Sequence, residues 1–343
     1  MMSIVAKRII VAHRQAWQYV SILTPGRMVN LLKVMAGYTH SRLFSTVTSW
    51  GNPYAVSIEP GTACNLRCPE CPTGNGSLGR NGGTMPLHTF QHILEHLPND
   101  VFHLNLYLQG EPLLHPQLAK MVTLARERKM VTTISTNAQL MTPLLAEALV
   151  RSGLSHLIVS LDGLTQATYE TYRVGGSLNK VMQAIEHIQR AKKQLGQKRP
   201  IVEVQFIVFA HNEHEVEGAK KLITHPGIDR VSIKTAQLYD TPSGITHPTQ
   251  PRLSRYVTID GRRVMQGRHQ NRCFKIWHSM VIAWNGTALP CCYDKNGDFP
   301  LGNVNHNGAR EIWQSKKLTA FRHKVVSGKG LPDMCHNCPE ARR

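Results

Sequence analysis

Between residues 52 and 240, short runs rich in β-branched residues alternate with stretches of helical periodicity, about six times over. The runs that predict strands span residues 54–59, 102–108, 131–135, 156–161, 201–209 and 230–235, and the helical stretches span 87–97, 117–128, 143–151, 178–194 and 213–223. Such alternation is typical of a parallel sheet, either barrel-like or open. The carboxyl ends of parallel strands share one edge, where binding sites are built. Functional residues are therefore expected directly after each strand.

The loop after the first predicted strand contains three closely spaced cysteines, in the segment Cys64-Asn-Leu-Arg-Cys68-Pro-Glu-Cys71-Pro. Three thiols fit a four-iron cluster that leaves one iron open, whereas a structural zinc site takes four ligands. A zinc loop completed by a distant histidine is the alternative, because the chain has 18 His. The N-terminus lacks the features of a secretory signal, so we expect a cytoplasmic protein whose thiols bind metal.

Polar motifs follow the next three predicted strands. They are Leu108-Gln109-Gly110-Glu111-Pro112, Ser135-Thr136-Asn137 and Ser160-Leu161-Asp162-Gly163, with Arg173 eleven residues past Asp162. Together with the cysteine triplet, this series resembles the radical S-adenosylmethionine (SAM) superfamily over roughly residues 52–240. The resemblance implies an α/β fold built on a partial (β/α)6 TIM-like barrel.

The resemblance also implies a cofactor site. Cys64, Cys68 and Cys71 would hold a 4Fe-4S cluster whose open iron chelates SAM, and one electron would cleave SAM to a 5′-deoxyadenosyl radical that takes hydrogen from the substrate. The residues implied to contact SAM are Gln109, Gly110, Glu111, Pro112, Ser135, Asn137, Ser160, Asp162 and Arg173. Two positions depart from the family: Glu70 stands where an aromatic residue often packs near the adenine, and Gln109 replaces a glycine.

Five further cysteines lie near the end of the sequence: Cys273, Cys291, Cys292, Cys335 and Cys338. Their spacing, with Gly286 five residues before Cys291, resembles the SPASM or twitch extension of radical SAM enzymes, which holds auxiliary 4Fe-4S clusters. The sequence stops five residues after Cys338, so we expect one auxiliary cluster, ligated by Cys273, Cys291, Cys335 and Cys338. Cys292 competes with Cys291, and spacing alone leaves a zinc site open.

These features predict three parts of the chain: a basic helical N-terminal segment (1–51), a radical SAM core barrel (52–240) and a small cysteine-rich SPASM/twitch-like domain (241–343). The N-terminal segment predicts one or two amphipathic helices with a break at Thr24-Pro25-Gly26. The turn-rich stretch 240–251 predicts a linker, and a single helix is expected near 309–324.

The net charge of +18 is unevenly placed, because residues 1–58 contain six Lys or Arg and no acid. A chain this basic favours anionic partners, and an acidic ferredoxin or flavodoxin fits as the electron donor. Peripheral membrane contact through the basic helices is a further hypothesis, and a helix packed against the barrel is equally consistent. Nucleic acid is not favoured, because no motif interleaves aromatic with basic residues.

The predicted function is a radical SAM enzyme that modifies a peptide or small metabolite in a redox reaction with help from one auxiliary cluster. One alternative is modification of a lipid or lipid-linked sugar at a membrane surface, and another is a non-catalytic zinc or iron–sulfur protein. No catalytic acid or base is assigned. Tyr239, Lys234 and Asp294 are candidates to line a cavity between the two domains.

Overall fold

Two helices precede the first strand of the computed structural model, which describes residues 4–239, 243–268, 270–340 and 342. They are α1 (Ile4–Val20) and α2 (Pro25–Phe44). Thr24 Oγ1 accepts a hydrogen bond from Arg27 N at 3.3 Å, and Pro25 occupies the first helical turn, so α2 starts at the predicted break. None of the described helices is long and apolar enough to cross a membrane.

Six parallel strands pair in the order in which they occur in the chain. They are β1 (Ala55–Ile58), β2 (His103–Asn105), β3 (Val131–Thr136), β4 (His156–Ser160), β5 (Ile201–Val208) and β6 (Arg230–Thr235). β6 lies at an edge of the sheet and does not pair with β1, so the barrel is open. The predicted α/β fold with a partial (β/α)6 barrel is confirmed.

The connections between these strands carry the helices α3 (Leu87–His96), α4 (Leu118–Glu127), α5 (Pro143–Arg151), α6 (Gln166–Tyr172), α7 (Leu178–Gln194) and α8 (Val216–Lys221). α6 is absent from the sequence prediction because seven residues are too few for a clear period. The predicted helix over 213–223 is interrupted, since 3-10 turns at Ala210–Glu215 and Leu222–Thr224 flank α8.

The strands place apolar side chains under the helices and polar side chains inside the barrel. Leu157 and Val159 of β4 belong to the main hydrophobic core. Because successive side chains of a strand point to opposite faces, Ser160 faces the barrel interior. In β3 the same alternation turns Ile134 to the core and Ser135 to the interior. The interior is therefore polar near the carboxyl ends of the strands.

The C-terminal region contains short elements that extend the barrel sheet. They are β7 (Tyr256–Ile259), β8 (Arg262–Met265), α9 (Lys275–His278), β9 (Ser279–Ile282), β10 (Thr287–Leu289), β11 (Gly302–Asn303), α10 (Ala309–Trp313), α11 (Lys316–Ser327) and α12 (Asp333–His336). β9 pairs in parallel with β1, from Ala55 opposite Ser279 to Ile58 opposite Ile282. The C-terminal region thus shares one nine-stranded sheet with the barrel.

Two sequence expectations for this region need comment. The single helix predicted over 309–324 is two helices, because Ser315 Oγ accepts from Leu318 N at 3.2 Å and starts α11 anew. Asp240, Thr241 and Pro242 of the predicted linker lie outside the described residues.

Two buried indoles attach the C-terminal region to the segment after α2. Trp313 Nε1 donates to Gly51 O at 2.9 Å, and Trp277 Nε1 donates to Thr48 O at 3.0 Å. The Arg322 guanidinium lies 4.3 Å from the Trp313 ring centroid and 5.8 Å from that of Trp277. Because Arg322 belongs to α11, these contacts connect α11 with both indoles.

Replacing Trp313 by Ala is expected to lower the free energy of unfolding by about 3–5 kcal/mol, because it leaves a large cavity. Trp313→Phe keeps most of the packing but leaves Gly51 O without its donor, at a cost of about 1–3 kcal/mol. Trp17→Ala is the control, since Trp17 is 61% exposed and its loss should change stability by about 0.5 kcal/mol or less. Anaerobic denaturant unfolding measures all three, and equal effects of the two alanine variants would contradict this account.

Candidate active site

The loop after β1 brings the cysteine triplet into one apolar pocket. Cys68 is buried in a cluster that includes Tyr172 and Phe209, and Cys64 and Cys71 pack against the same cluster. Cys71 N donates to Cys68 O at 3.1 Å, which folds the end of the loop into a tight turn. Burial raises the pKa of the Cys64 thiol and raises that of Cys68 to about 11.

Each thiol of the triplet contacts a polar side chain that follows a different strand, and all three partners are predicted cofactor residues. The contacts are Cys64 Sγ with Asn137 Nδ2 at 3.8 Å, Cys68 Sγ with Arg173 Nη1 at 3.8 Å, and Cys71 Sγ with Gln109 Oε1 at 3.9 Å. The structure therefore brings together the loops after β1, β2, β3 and β4. Three thiols in an apolar pocket, edged by amide and guanidinium groups, fit an iron–sulfur cluster.

The Gly-Glu-Pro turn packs directly against the start of the cluster loop. Gly110 has φ of +73°, and a Cβ there would lie 2.5 Å from Gly61 O and 2.7 Å from Ala63 O. Glu111 N donates to Ala63 O at 2.8 Å. Only glycine combines this left-handed conformation with so close an approach.

The Glu111 carboxylate is buried and held by three donors. It accepts hydrogen bonds from Thr136 Oγ1 at 2.5 Å, Asn137 N at 2.8 Å and Leu113 N at 3.0 Å. Burial raises the pKa of Glu111, while these hydrogen bonds oppose the rise. The carboxylate thus joins the turn after β2 to the end of β3. Pro112 starts the short 3-10 turn Pro112–Leu114 that follows it.

Asp162 and Arg173 form a buried ion pair beside the cluster loop. Arg173 Nε lies 2.5 Å from Asp162 Oδ2, and Asp162 Oδ1 accepts from Ile207 N at 2.7 Å. The negative charge of Asp162 raises the pKa of Arg173, which burial by itself would lower. The guanidinium also lies 5.2 Å from the Tyr172 ring centroid. Asp162 therefore fixes the position of the guanidinium against Cys68.

Glu70, where the family often has an aromatic residue, makes a polar contact instead. Its carboxylate is buried and accepts hydrogen bonds from Tyr239 N at 2.7 Å and from the Ser243 hydroxyl. The cluster loop is thereby attached to the segment that leaves β6.

Four C-terminal cysteines line a second, apolar cavity. They are Cys273, Cys291, Cys335 and Cys338, accompanied by Ile276, Tyr293, Phe321, Val325 and Met334. Burial raises the pKa of Cys335 to about 11 and that of Cys338 to about 12. In the described part of the chain, no three His, Cys, Asp or Glu side chains lie at the spacing that a single metal ion requires. The thiols surround a cavity and do not converge on the position of a single ion. A 4Fe-4S cluster with one cysteine on each iron fits this arrangement.

Cys292 is not among the residues that line the cavity of the four cysteines, although its side chain contacts Cys291. It lines a separate cavity of about 370 Å³ in the barrel interior, together with Lys275 and His278. The Cys291 thiol donates to Cys292, which raises the pKa of Cys291 and lowers that of Cys292, and the Lys275 ammonium favours the Cys292 thiolate further. The cavity geometry therefore favours Cys291 as the cluster ligand.

Sequence reasoning missed Glu59 and Arg80, which connect the two cysteine sites. The buried Glu59 carboxylate pairs with Arg80 at 2.5 Å and accepts from Gln109 N at 3.3 Å and Trp284 N at 3.2 Å. Arg80 Nε also donates to Lys295 O at 2.7 Å. The sequence did contain a signal for Glu59. It directly follows β1, and the candidate residues of the other loops were found because they also directly follow strands.

A cavity of about 620 Å³ lies between the cluster loop and the C-terminal region. Pro72 and Ser77 line it on one side, and Tyr293, Lys295 and Asn337 line it on the other.

Of the three residues expected in this cavity, Tyr239 and Asp294 line it, but Lys234 is exposed on β6 and does not. The expectation for Lys234 is therefore wrong, because its exposed side chain on the edge strand does not line this cavity. Asp294 accepts from Asp298 N at 2.8 Å and Phe299 N at 3.0 Å, so its carboxylate shapes its own loop.

Comparison with known proteins agrees with this geometry. Residues 58–223 match the radical SAM superfamily, and residues 273–339 match SPASM, an iron–sulfur cluster-binding domain. The chain belongs to the radical SAM superfamily. Within it, the chain is a SPASM-containing enzyme whose cofactors are a 4Fe-4S cluster, SAM and an auxiliary iron–sulfur cluster. These findings confirm the predicted enzyme class and overturn the zinc alternatives.

Individual relatives are distant. The chain is 22% identical to a tungsten-containing aldehyde ferredoxin oxidoreductase cofactor-modifying protein of Pyrococcus furiosus, over 82% of this chain and 86% of that protein. It is 25% identical to the PqqA peptide cyclase of Gluconobacter oxydans, over 85% of this chain and 84% of the cyclase. The crystal structure of Streptococcus suis SuiB bound to SAM superposes with a TM-score of 0.64 at 17% identity, covering 84% of this chain and 71% of SuiB.

Gly110→Ala is expected to lower the rate of SAM cleavage by about a hundredfold, because the added methyl group pushes the turn away from the cluster loop. Gly196→Ala is the matched control: Gly196 also has positive φ, at +60°, but a Cβ there meets open space. Release of 5′-deoxyadenosine under reducing conditions measures the effect. Equal rates for the two variants would show that the close approach is not required.

Cys291→Ser and Cys292→Ser test the assignment of the auxiliary ligands. Cys291→Ser should lose about four iron atoms per chain together with the auxiliary cluster, whereas Cys292→Ser should keep them. Iron analysis and electron paramagnetic resonance of anaerobically reconstituted protein measure the outcome. Loss of the cluster in Cys292→Ser alone would reverse the assignment.

Proposed function

We propose that this radical SAM enzyme modifies a peptide in a redox reaction, and that the peptide binds in the cavity of about 620 Å³. The observation that carries the proposal is the location of this cavity. Pro72, which directly follows Cys71, forms one wall, while Tyr293 and Met334 line both this cavity and that of the four C-terminal cysteines. A bound substrate would therefore lie between the two cysteine sets.

In this proposal the cysteines are the cluster ligands. Cys64, Cys68 and Cys71 hold the cluster that binds SAM, and Cys273, Cys291, Cys335 and Cys338 hold the auxiliary cluster. When bound, the first cluster and SAM supply reductive cleavage and hydrogen abstraction from the substrate. Two separate cysteine sets around one substrate cavity support a reaction in which an electron leaves the substrate.

The polar residues around the triplet stabilise charge in this site. Asn137 and Arg173 place N–H groups 3.8 Å from the sulfurs of Cys64 and Cys68, where they donate to the thiolates. Cys71 Sγ lies 3.9 Å from Gln109 Oε1, and if Cys71 held the cluster as a thiolate, Gln109 would have to present its NH2 group instead, because a thiolate only accepts. Such hydrogen bonds tune the reduction potential of a cluster.

Further residues are proposed to orient SAM. The three donors to Glu111 fix its carboxylate, whose remaining lone pairs suit the amine of SAM. Arg173 is positioned by Asp162, and its planar guanidinium can donate two parallel hydrogen bonds to the carboxylate of SAM. Ser135 and Ser160 face the barrel interior, and we propose that they contact the ribose or methionine part of SAM.

The chemistry of the cavity favours a peptide over a lipid. Its lining carries both signs of charge, with Arg263 and Lys295 as well as Asp298 and Asp333. Polar main-chain and side-chain groups of a peptide match such a lining better than an acyl chain does. One relative is named a peptide cyclase, and SuiB has been crystallised with its precursor peptide SuiA.

We further propose an acidic ferredoxin or flavodoxin as the electron donor. The net charge of +18 supports this proposal, because opposite charge accelerates the encounter of redox partners.

Replacing Cys64, Cys68 or Cys71 by Ala should abolish SAM cleavage, because the cluster that binds SAM loses a ligand. Cys335→Ala and Cys338→Ala should still cleave SAM when no substrate is added, since the first cluster stays intact. These two variants should no longer modify the substrate. Anaerobic assays of 5′-deoxyadenosine distinguish the two groups. Cleavage that persists in the triplet variants would overturn the proposed ligand set.

The substrate class is tested with the low-molecular-weight fraction of an anaerobic extract from the source cells. This fraction should stimulate 5′-deoxyadenosine release by the reconstituted enzyme, and prior digestion with proteases that are then removed should eliminate the stimulation. Stimulation that survives proteolysis would reject a peptide and favour a small metabolite.

A further inference from the structure

Helix α1 packs on the barrel with its polar face. Lys7, Val11, Arg14 and Gln18 recur at helical spacing and face the protein. Lys7 Nζ donates to Ile223 O at 2.7 Å, Arg14 Nη1 to Asp229 Oδ1 at 3.0 Å and Gln18 Nε2 to Ser155 O at 3.4 Å. This is the reverse of the usual surface helix, whose apolar stripe faces the core.

Helix α2 is oriented in the same way. Its buried residues are Arg27, Asn30, Val34, Gly37 and Ser41, again at intervals of three and four. Arg27 Nη1 donates to Lys129 O at 3.0 Å, and Asn30 Nδ2 donates to Asn52 O at 3.0 Å. Four of the five inward positions therefore carry polar groups or glycine.

The apolar side chains of this segment face outwards. Of the seventeen large hydrophobic residues that are exposed in the described chain, thirteen lie in the first fifty residues. They are Ile4, Val5, Ile9, Ile10, Trp17, Val20, Met28, Val29, Leu32, Met35, Leu43, Phe44 and Trp50, with exposures from 43% to 73%. So concentrated an apolar surface marks a binding face. We call these thirteen residues the apolar face.

The charge around the apolar face identifies what covers it. Arg8, Lys33 and Arg42 are exposed on the same two helices, and residues 1–58 contain no acid. A second copy would bring cations against cations, whereas anionic headgroups complement them. Trp17 and Trp50 suit the boundary between headgroups and acyl chains. We propose that the apolar face docks on an anionic phospholipid bilayer and lies in its interface.

The position of the apolar face separates docking from substrate binding. α1 and α2 contact Ser155, Asp229 and Lys129, which lie just before β4, β6 and β3, at the amino ends of the strands. The cysteine triplet lies at the opposite, carboxyl ends. A docked enzyme would therefore direct its cavity away from the lipid, so the bilayer locates the enzyme rather than supplying its substrate.

Flotation of the full-length holoenzyme with vesicles tests the proposal. We expect binding to phosphatidylcholine vesicles that contain about 30% phosphatidylglycerol, weaker binding to phosphatidylcholine alone, and weakening by salt. The triple variant Arg8→Gln, Lys33→Gln, Arg42→Gln should lower the partition coefficient on the order of a hundredfold. The variant Val5→Gln, Ile9→Gln, Trp17→Gln should lower it similarly, and both should fold because these positions are exposed.

The matched controls are Lys120→Gln, Lys180→Gln, Lys324→Gln for charge and Leu144→Gln for apolar exposure, and they should bind like the wild type. Wild-type protein that stays with the unbound fraction would overturn the proposal. So would a dimer that the triple apolar variant converts to monomers, which would make the apolar face an interface between copies. SAM cleavage measured on the same samples reports separately on the proposed function.

Discussion

One buried carboxylate holds the two cysteine sites of this protein in a fixed relation. Glu59 directly follows the first strand, pairs with Arg80 beyond the cluster loop, and accepts main-chain hydrogen bonds from Gln109 and Trp284. Three separate segments therefore depend on one fully buried charge. Removing either partner of a buried ion pair leaves the other uncompensated, which makes such a pair a strong positional constraint. The parallel pairing of β1 with β9 adds a main-chain connection at the same place.

The thiols are placed in surroundings that disfavour their charged form without metal. Burial raises the pKa of Cys68, Cys335 and Cys338, so these thiols are protonated at neutral pH in the folded chain without clusters. To hold a cluster, these cysteines would have to lose those protons, and the bound iron would supply the positive charge that the apolar walls lack. Cluster binding and the stability of the surrounding fold are thus energetically coupled. The few hydrogen bonds to sulfur are electrostatically stronger here than in water, because the region has a low dielectric constant.

Much of the fold could be predicted because it follows from local pattern. All six barrel strands lie within or close to their predicted bounds, and α5 and α7 begin and end at the predicted residues. The rule that candidate residues follow strands identified Gln109 and Asn137, which contact the triplet, and Asp162, which pairs with Arg173 beside it. Two predictions failed because the local sequence pattern does not determine the feature in question. Ser315 caps a new helix within the predicted single helix, and Lys234 is exposed because β6 is an edge strand.

The sequence by itself determined the class of protein and its cofactors, because cysteine spacing and the order of strand-end motifs are local properties of the chain. Only the tertiary structure distinguishes Cys291 from Cys292, since Cys291 lines the cavity that the other three cysteines line and Cys292 does not. It also decided which face of α1 and α2 is buried. Helical periodicity reveals two faces but not which one the barrel takes, and here hydrogen-bond acceptors at the amino ends of the strands select the polar one.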